Sequence, residues 1–455
     1  MTAPESDVGV PAPAQRPPDQ GRPTDGRPVD RLPAIHESML PREHPLHRPR
    51  HGRGQRAALT CAAVFFLVPA LAFVFGVRPQ AFENHRLASF PSLADGWRFF
   101  TGLTDWATDN LPLRELGVHA EAGISQGLFG EPPAYSDTDR QSGSGPVAGP
   151  VNSPPQGNVS HDYSQVISGT DGWLYLAQDM TAKCDPTQPV SATIAALEQL
   201  RQAIDASGRS LVLVVAPDKS TAVPRYLPAD YPDKQCAAAV AKTFWPAVTS
   251  QAGALDLRAG LAGLAPVEQR PAYYPQDTHW TDLGALYMLR QVVDTIAPNT
   301  TATWTSEPAR TTSFPSDLPP MIAASARNRE IVYHLSPDGG DDQTLTPPAS
   351  LNTPLHINRA AITGMITTPT AILGDSFIDP TLRYLPAAFS NATAYTYAGL
   401  GGDAATRQAV ETVMASGKVV VLEVVERELT GGTAPFLRPD VIAGIKAYLA
   451  AHAAP

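Results

Sequence analysis

Cysteine is scarce in this 455-residue chain, with three in all. That excludes a disulfide-dense scaffold and the repeated cysteine pairs of a structural zinc site. Basic residues are also outnumbered, 34 Lys and Arg against 44 Asp and Glu, which leaves a net charge of −10. Clamping a phosphate backbone needs a basic face, so the balance argues against nucleic acid as a partner. The histidines are scattered, and His279 has no second histidine at helical ligand spacing, so no metal is expected. Glycine loops of the P-loop or dinucleotide type are missing, no internal repeat is apparent, and no cofactor is implied.

Proline, by contrast, is abundant: 46 residues, far more than helices and strands can absorb, so part of the chain must be irregular. Residues 1–56 are rich in Pro, Arg, Gly and Asp and lack apolar periodicity, which predicts a disordered tail. The run "AALTCAAVFFLVPALAFVFGV", residues 57–77, is uncharged and long enough to span a bilayer. Arg42, Arg48, Arg50, Arg53 and Arg56 precede it, so the positive-inside bias puts the tail in the cytoplasm and the rest outside. The rival reading is a cleaved signal peptide with a long apolar region. Residues 78–130 read as a juxtamembrane helical lead-in and 131–160 as a flexible insertion. A single catalytic domain is expected over 161–455. Cys61 lies in the apolar run; Cys184 and Cys236 are either one disulfide or two free thiols.

From residue 165 strands and helices alternate. "GTDGWLYL" (169–176) is a turn and strand, 191–208 a helix, and "SLVLVVAPDKST" (210–221) a buried strand breaking at Pro217. Strands at 254–258, 370–377 and 418–427 and helices at 281–296 and 439–452 continue the pattern, while 298–369 reads as a loop-rich insertion. Continuous apolar strands between amphipathic helices indicate an α/β fold: three α/β/α layers about a parallel sheet, flavodoxin-like, behind one transmembrane helix.

Two short motifs carry chemistry. Ser376 in "ILGDSF" follows an apolar strand, where a sharp turn at the carboxyl end of a sheet exposes a hydroxyl. Such a hydroxyl is a poor nucleophile until a base takes its proton. "DTHW" supplies the base in His279, with Asp277 to hold its tautomer and stabilise the imidazolium. The bland alternative makes His279 and Asp277 ordinary residues at the start of helix 281–296.

"GDSF", "DTHWTDLGA", "APDKSTAVPRYLP" and "GTDGWLYL" together resemble the alginate O-acetyltransferase AlgX/AlgJ-like family of SGNH-hydrolase-type proteins. The resemblance covers about residues 83–445, less well at 131–160 and 298–369. Asp277 and His279 come before Ser376, the permuted order of that family. The resemblance implies Ser376 as nucleophile, His279 as base and Asp277 as its orienter, with backbone N–H groups of Ser376 and Gly402 ("YTYAGLGGDA") as the oxyanion hole. It further implies a membrane-anchored, extracytoplasmic O-acetyltransferase acting on an exported polysaccharide or cell-wall glycan. A polytopic membrane acyltransferase would supply the acetyl groups.

The chain departs from the pattern after its last strand, where "VVLEVVERELT" stands in place of G-x-N-D and the Asn donor is missing. Arg427 there is a substrate or structural contact, and Trp280 belongs to the same class. Asp218 and Lys219 are either a structural salt bridge or substrate ligands. Two other functions share these residues: a carbohydrate acetylesterase with the same triad, and a non-catalytic glycan-binding or assembly scaffold.

Overall fold

The computed structural model describes residues 53–74, 99, 106, 165–268, 270–322, 324–347, 351 and 353–455. The chain divides into two units at Phe75/Gly76. In the first, helix α1 (Arg53–Val74) takes up most of the apolar run and begins in the segment expected to be disordered. Among the described residues, no helix is long and apolar enough to cross a membrane. The expected tail up to residue 52, the lead-in apart from Phe99 and Trp106, and the insertion 131–160 lie outside the described residues.

The second unit is an α/β domain. Strands β1 (Val166–Ser168) and β2 (Leu174–Leu176) form a small antiparallel pair, followed by helices α2 (Gln178–Cys184) and α3 (Val190–Asp205). Then come β3 (Ser210–Ala216), α4 (Lys234–Ser250), β4 (Ala254–Asp256), α5 (Arg258–Glu268) and α6 (Asp282–Ile296). A hairpin, β5 (Thr305–Pro315) with β6 (Arg327–Ser336), precedes β7 (Leu355–Asn358), β8 (Thr370–Gly374) and β9 (Asn391–Thr396). Helix α7 (Ala404–Ser416), β10 (Val419–Val425), α8 (Glu426–Thr430) and α9 (Pro439–Ala451) complete the chain. The main sheet has the order β4-β3-β10-β8-β9-β7, parallel throughout except for β7.

The central strands are apolar on both faces because both faces are covered. Leu211, Leu213 and Val215 of β3, with Val420, Leu422 and Val424 of β10, pack with Leu197 and Leu200 of α3, Phe244 and Trp245 of α4, Val410 of α7 and Ile445 of α9. The alternate residues, Val212, Val214, Val419 and Val421, join the opposite core with Leu286, Leu289 and Val293 of α6. Each such side chain, fully buried, contributes about 2 kcal/mol. The region 298–369, expected to be loop-rich, instead contains the long hairpin and the edge strand β7.

Cys184, at the end of α2, is bonded to Cys236 in α4, 52 positions on in sequence, with Cα atoms 5.8 Å apart. Closing a loop of that length restricts the unfolded chain. Cys236→Ser is therefore expected to lower the urea-unfolding free energy by about 2–4 kcal/mol. An unchanged midpoint would show that the bond adds nothing to stability.

Candidate active site

Three adjacent parallel strands deliver the site from their carboxyl ends: β3 runs into Asp218 and Lys219, β8 into Asp375 and Ser376, and β10 into Glu426 and Arg427. Carboxyl ends of strands are where open α/β sheets place their chemistry. Ser376 opens a 3₁₀ turn, Ser376–Thr381, whose cap is the Asp375 side chain accepting from the Phe377 N–H at 2.8 Å. The other oxygen of Asp375 accepts from the Val425 N–H at 2.8 Å and from the Tyr397 hydroxyl at 3.0 Å. One carboxylate thus joins β8, β9 and β10 just behind the serine. Gly374 is required before it, since a Cβ there would stand 2.7 Å from Ile378 Cβ and 2.8 Å from Glu423 Oε2.

His279 reaches the serine from the loop before α6. Its Nδ1 lies 2.7 Å from Asp277 Oδ1. A carboxylate only accepts, so Nδ1 carries the proton and Nε2, 2.8 Å from Ser376 Oγ, is left to accept the hydroxyl proton. Asp277 is held in turn: Oδ1 also accepts from the His279 N–H at 3.1 Å, and Oδ2 from Asn328 Nδ2 at 2.7 Å and the Asp317 N–H at 3.1 Å. Burial alone would raise its pKa, but the hydrogen bond and charge of His279, aided by Asn328, hold it at about 2. For His279 burial works downward, and the hydrogen bond and charge of Asp277, with the charge of Asp317, outweigh it and raise the imidazole above 6.5.

Asp317 and Asn328 were not visible as site residues in the sequence. Asp317 accepts from the Thr278 N–H at 2.9 Å and from the Thr278 hydroxyl, and one of its oxygens is 3.5 Å from His279 Nδ1. Asp277, His279 and Asp317 offer ligand atoms within 4.8 Å of one another. The oxygens of Asp277 already accept four N–H groups, so the set is arranged for imidazole rather than for a cation.

The remaining sequence-predicted residues take structural positions. Trp280 is fully buried, with Nε1 donating to the Phe377 carbonyl at 2.7 Å, so it binds the two motifs together and is inaccessible to substrate. Asp218 does not pair with Lys219. It bonds Lys183 and accepts from the Arg427 N–H at 3.2 Å, while the Arg427 guanidinium lies 3.5 Å from Asp218 and 3.7 Å from Asp179. That guanidinium also sits 5.6 Å over the Phe377 ring. Gly402 departs from its assigned oxyanion role, because its N–H donates to the Gly399 carbonyl at 3.1 Å within a 3₁₀ turn.

Lys219 is buried and donates to three carbonyls of one loop: Tyr274 at 3.3 Å, Pro275 at 3.2 Å and Asp277 at 2.6 Å. Its ammonium lies 5.8 Å from the Trp173 ring centre and 5.2 Å from that of Tyr175. Burial brings its pKa down to about 8.

Ser376 at the end of β8, with His279 and Asp277 on the loop before α6, forms a serine, histidine and aspartate set on an α/β sheet, the arrangement expected of an SGNH-hydrolase-like domain. A family model described as the SGNH hydrolase-like domain of the acetyltransferase AlgX matches residues 166–377, so this part of the chain is similar to the AlgX/AlgJ-like family. Among named relatives, the probable alginate O-acetylase AlgJ of Pseudomonas syringae pv. tomato is 31% identical over 134 residues, 29% of this chain and 33% of that protein. The probable alginate O-acetylase AlgJ of Pseudomonas fluorescens is 29% identical over 149 residues, 30% of this chain and 34% of that one. The chain therefore spans about a third of the length of the curated relatives it matches. The solved O-acetyltransferase domain of Pseudomonas putida AlgJ is 18% identical, with a TM-score of 0.42 over 62% of this chain and 98% of that one.

Lys219→Met keeps the apolar stem and leaves three loop carbonyls without their donor. Fluorophosphonate labelling of Ser376 is expected to slow by about tenfold in molecules that remain folded, as the His279 loop relaxes. An unaltered labelling rate in folded protein would show that the clamp does not position the site.

Proposed function

We propose that this chain is a membrane-anchored, extracytoplasmic O-acetyltransferase that moves acetyl groups onto an exported polysaccharide or cell-wall glycan. The observation that carries the reading is the continuous relay from Ser376 Oγ through His279 to Asp277, at 2.8 and 2.7 Å. In the first half-reaction Oγ attacks the acetyl carbonyl while Nε2 takes its proton, then passes that proton to the departing donor group. Asp277 stabilises the imidazolium between the two steps. In the second, a sugar hydroxyl gives its proton to Nε2 and attacks the acyl-serine, and Ser376 recovers the proton as it leaves. The Ser376 N–H is proposed as one donor to the developing oxyanion. The relatives named for alginate O-acetylation support an acetyl group and a polysaccharide acceptor. Because cytosolic acetyl donors do not reach an exterior site unaided, a polytopic membrane acyltransferase is the proposed supplier. An acetylesterase differs only in using water as the acceptor.

With 4-nitrophenyl acetate, Ser376→Ala and His279→Ala should each abolish the burst of 4-nitrophenolate. The double variant should be no worse than either, because triad members act as a unit. The base must be neutral to act, and His279 is raised, so acylation should rise with pH through an inflection above 6.5. Asp277→Asn should lower that inflection. A double variant far worse than both singles, or a profile flat from pH 6 to 8, sinks the relay. Acetylated glycan exceeding free acetate separates transferase from esterase.

The anchoring reading rests on the apolar run 57–77 and the arginines before it. Protease added to intact cells should spare residues 1–56 and digest the C-terminal domain. The reverse pattern overturns the topology.

A further inference from the structure

We infer that Asp379 is an acceptor-binding residue that selects a neutral glycan, through paired sugar hydroxyls, over a polyuronate. The inference rests on the acyl-transfer reading above and narrows its substrate class.

Ser376 and Asp379 begin and extend the same 3₁₀ turn, Ser376–Thr381. With three residues per turn, positions three apart lie on one face, so the Asp379 carboxyl shares the side of the turn that presents the serine. The charge of His279 acts on it favourably, which places it within electrostatic reach of the base. Its neighbours among the carboxylates are all engaged. Asp277 accepts four N–H groups, Asp375 accepts from Phe377, Val425 and Tyr397, and Asp317 accepts from Thr278. Asp379 differs: it is half-buried, and among the described residues its carboxylate has no hydrogen-bond or ion-pair partner. Burial, with the nearby negative charge of Asp375, pushes its pKa up to about 6, so near neutrality it is still mostly a carboxylate in need of donors.

Sugar hydroxyls are such donors. A vicinal pair can direct one O–H to Asp379 and the other to His279 Nε2, which fixes the hydroxyl that attacks. A uronate brings a further negative charge toward Asp379 and toward Asp317, whose side chain is 33% exposed. Three cations on the elements around the serine are already committed. Arg427 faces Asp218 and Asp179, Lys219 faces loop carbonyls, and Arg383 is 3.4 Å from Asp282.

The test uses the full chain, 4-nitrophenyl acetate as donor, and three acceptors of equal length: cellotetraose, maltotetraose and tetramannuronate. At least one neutral tetramer should be acetylated about fivefold faster than the uronate at pH 7, since like-charge juxtaposition suppresses the wrong partner. Asp379→Asn should raise the acceptor KM of the neutral tetramer several-fold and narrow the ratio. A uronate acetylated as fast as both neutral tetramers overturns the inference, as does a ratio that Asp379→Asn leaves unchanged. Calorimetric binding of the same tetramers to Ser376→Ala asks the question without chemistry: a neutral preference that Asp379→Asn removes is expected, and no preference overturns it. A missing burst in the unmodified chain counts against the acyl-transfer reading alone.

Discussion

The site depends first on a buried ammonium. Irregular backbone inside a protein leaves carbonyls that must find donors, and the segment Tyr274–Asp277 has no strand or helix to supply them. Lys219 supplies them from the end of β3, so the loop before His279 takes its shape from a side chain on the neighbouring strand. The aromatic rings of Trp173 and Tyr175 close over the same cation, and their negative faces offset part of its desolvation. All four motifs quoted from the sequence meet here. One supplies the rings, one the lysine, one the clamped loop, and the last the serine bonded to His279.

Beneath this clamp lies a second charged group, with Lys183 and Arg427 set among Asp179, Asp218 and Glu426. Glu426 also accepts from the Asp218 N–H and from Trp245 Nε1, both at 3.0 Å, which ties the ends of β3 and β10 to α4. Burial, then the charge of Asp218, raises Asp179 to about 7, so its proton relieves part of the negative excess near neutrality. Lys183 stands next to Cys184, and the disulfide therefore anchors the helix that carries this cluster. Removing one partner of such a group leaves the others buried and unmatched, which is why its members are poor candidates for substrate ligands.

Strand and helix periodicity made most of the sheet legible in the sequence, since β3, β8 and β10 are largely apolar on both faces and the first two stop at Pro217 and Gly374. The Asp277, His279 and Ser376 set was legible too, because each motif stands at a strand or helix boundary. The hairpin was not. Nearly every residue of β5 is exposed, so it carries no alternation of apolar and polar positions to announce a strand. Asp317, between its two strands, and Asn328, in β6, reach Asp277 only across 40 and 51 positions of sequence, which no local pattern announces. Helix α4 escaped notice behind Pro246 in its interior, a residue that ordinarily marks a helix end. Long-range partnerships, such as Lys183 with Asp218 across 35 residues, have no local signature at all.

Under the acyl-transfer reading, one question decides what the site does: which nucleophile takes the acyl group from Ser376. The His279 side chain remains 17% exposed, so the described residues do not seal the base from water. Water is present at about 55 M in bulk, and an acceptor sugar prevails only through a high effective concentration at Nε2, which well-oriented groups can reach. Orientation needs a partner for the sugar beyond the base itself. Asp277 and Asp317 have spent their oxygens on the protein, and Arg427 and Lys219 have spent their charges. Among the described residues, the carboxylate inferred to hold an acceptor beside the serine is Asp379, and on that inference transfer over hydrolysis becomes a property of that carboxylate rather than of the triad.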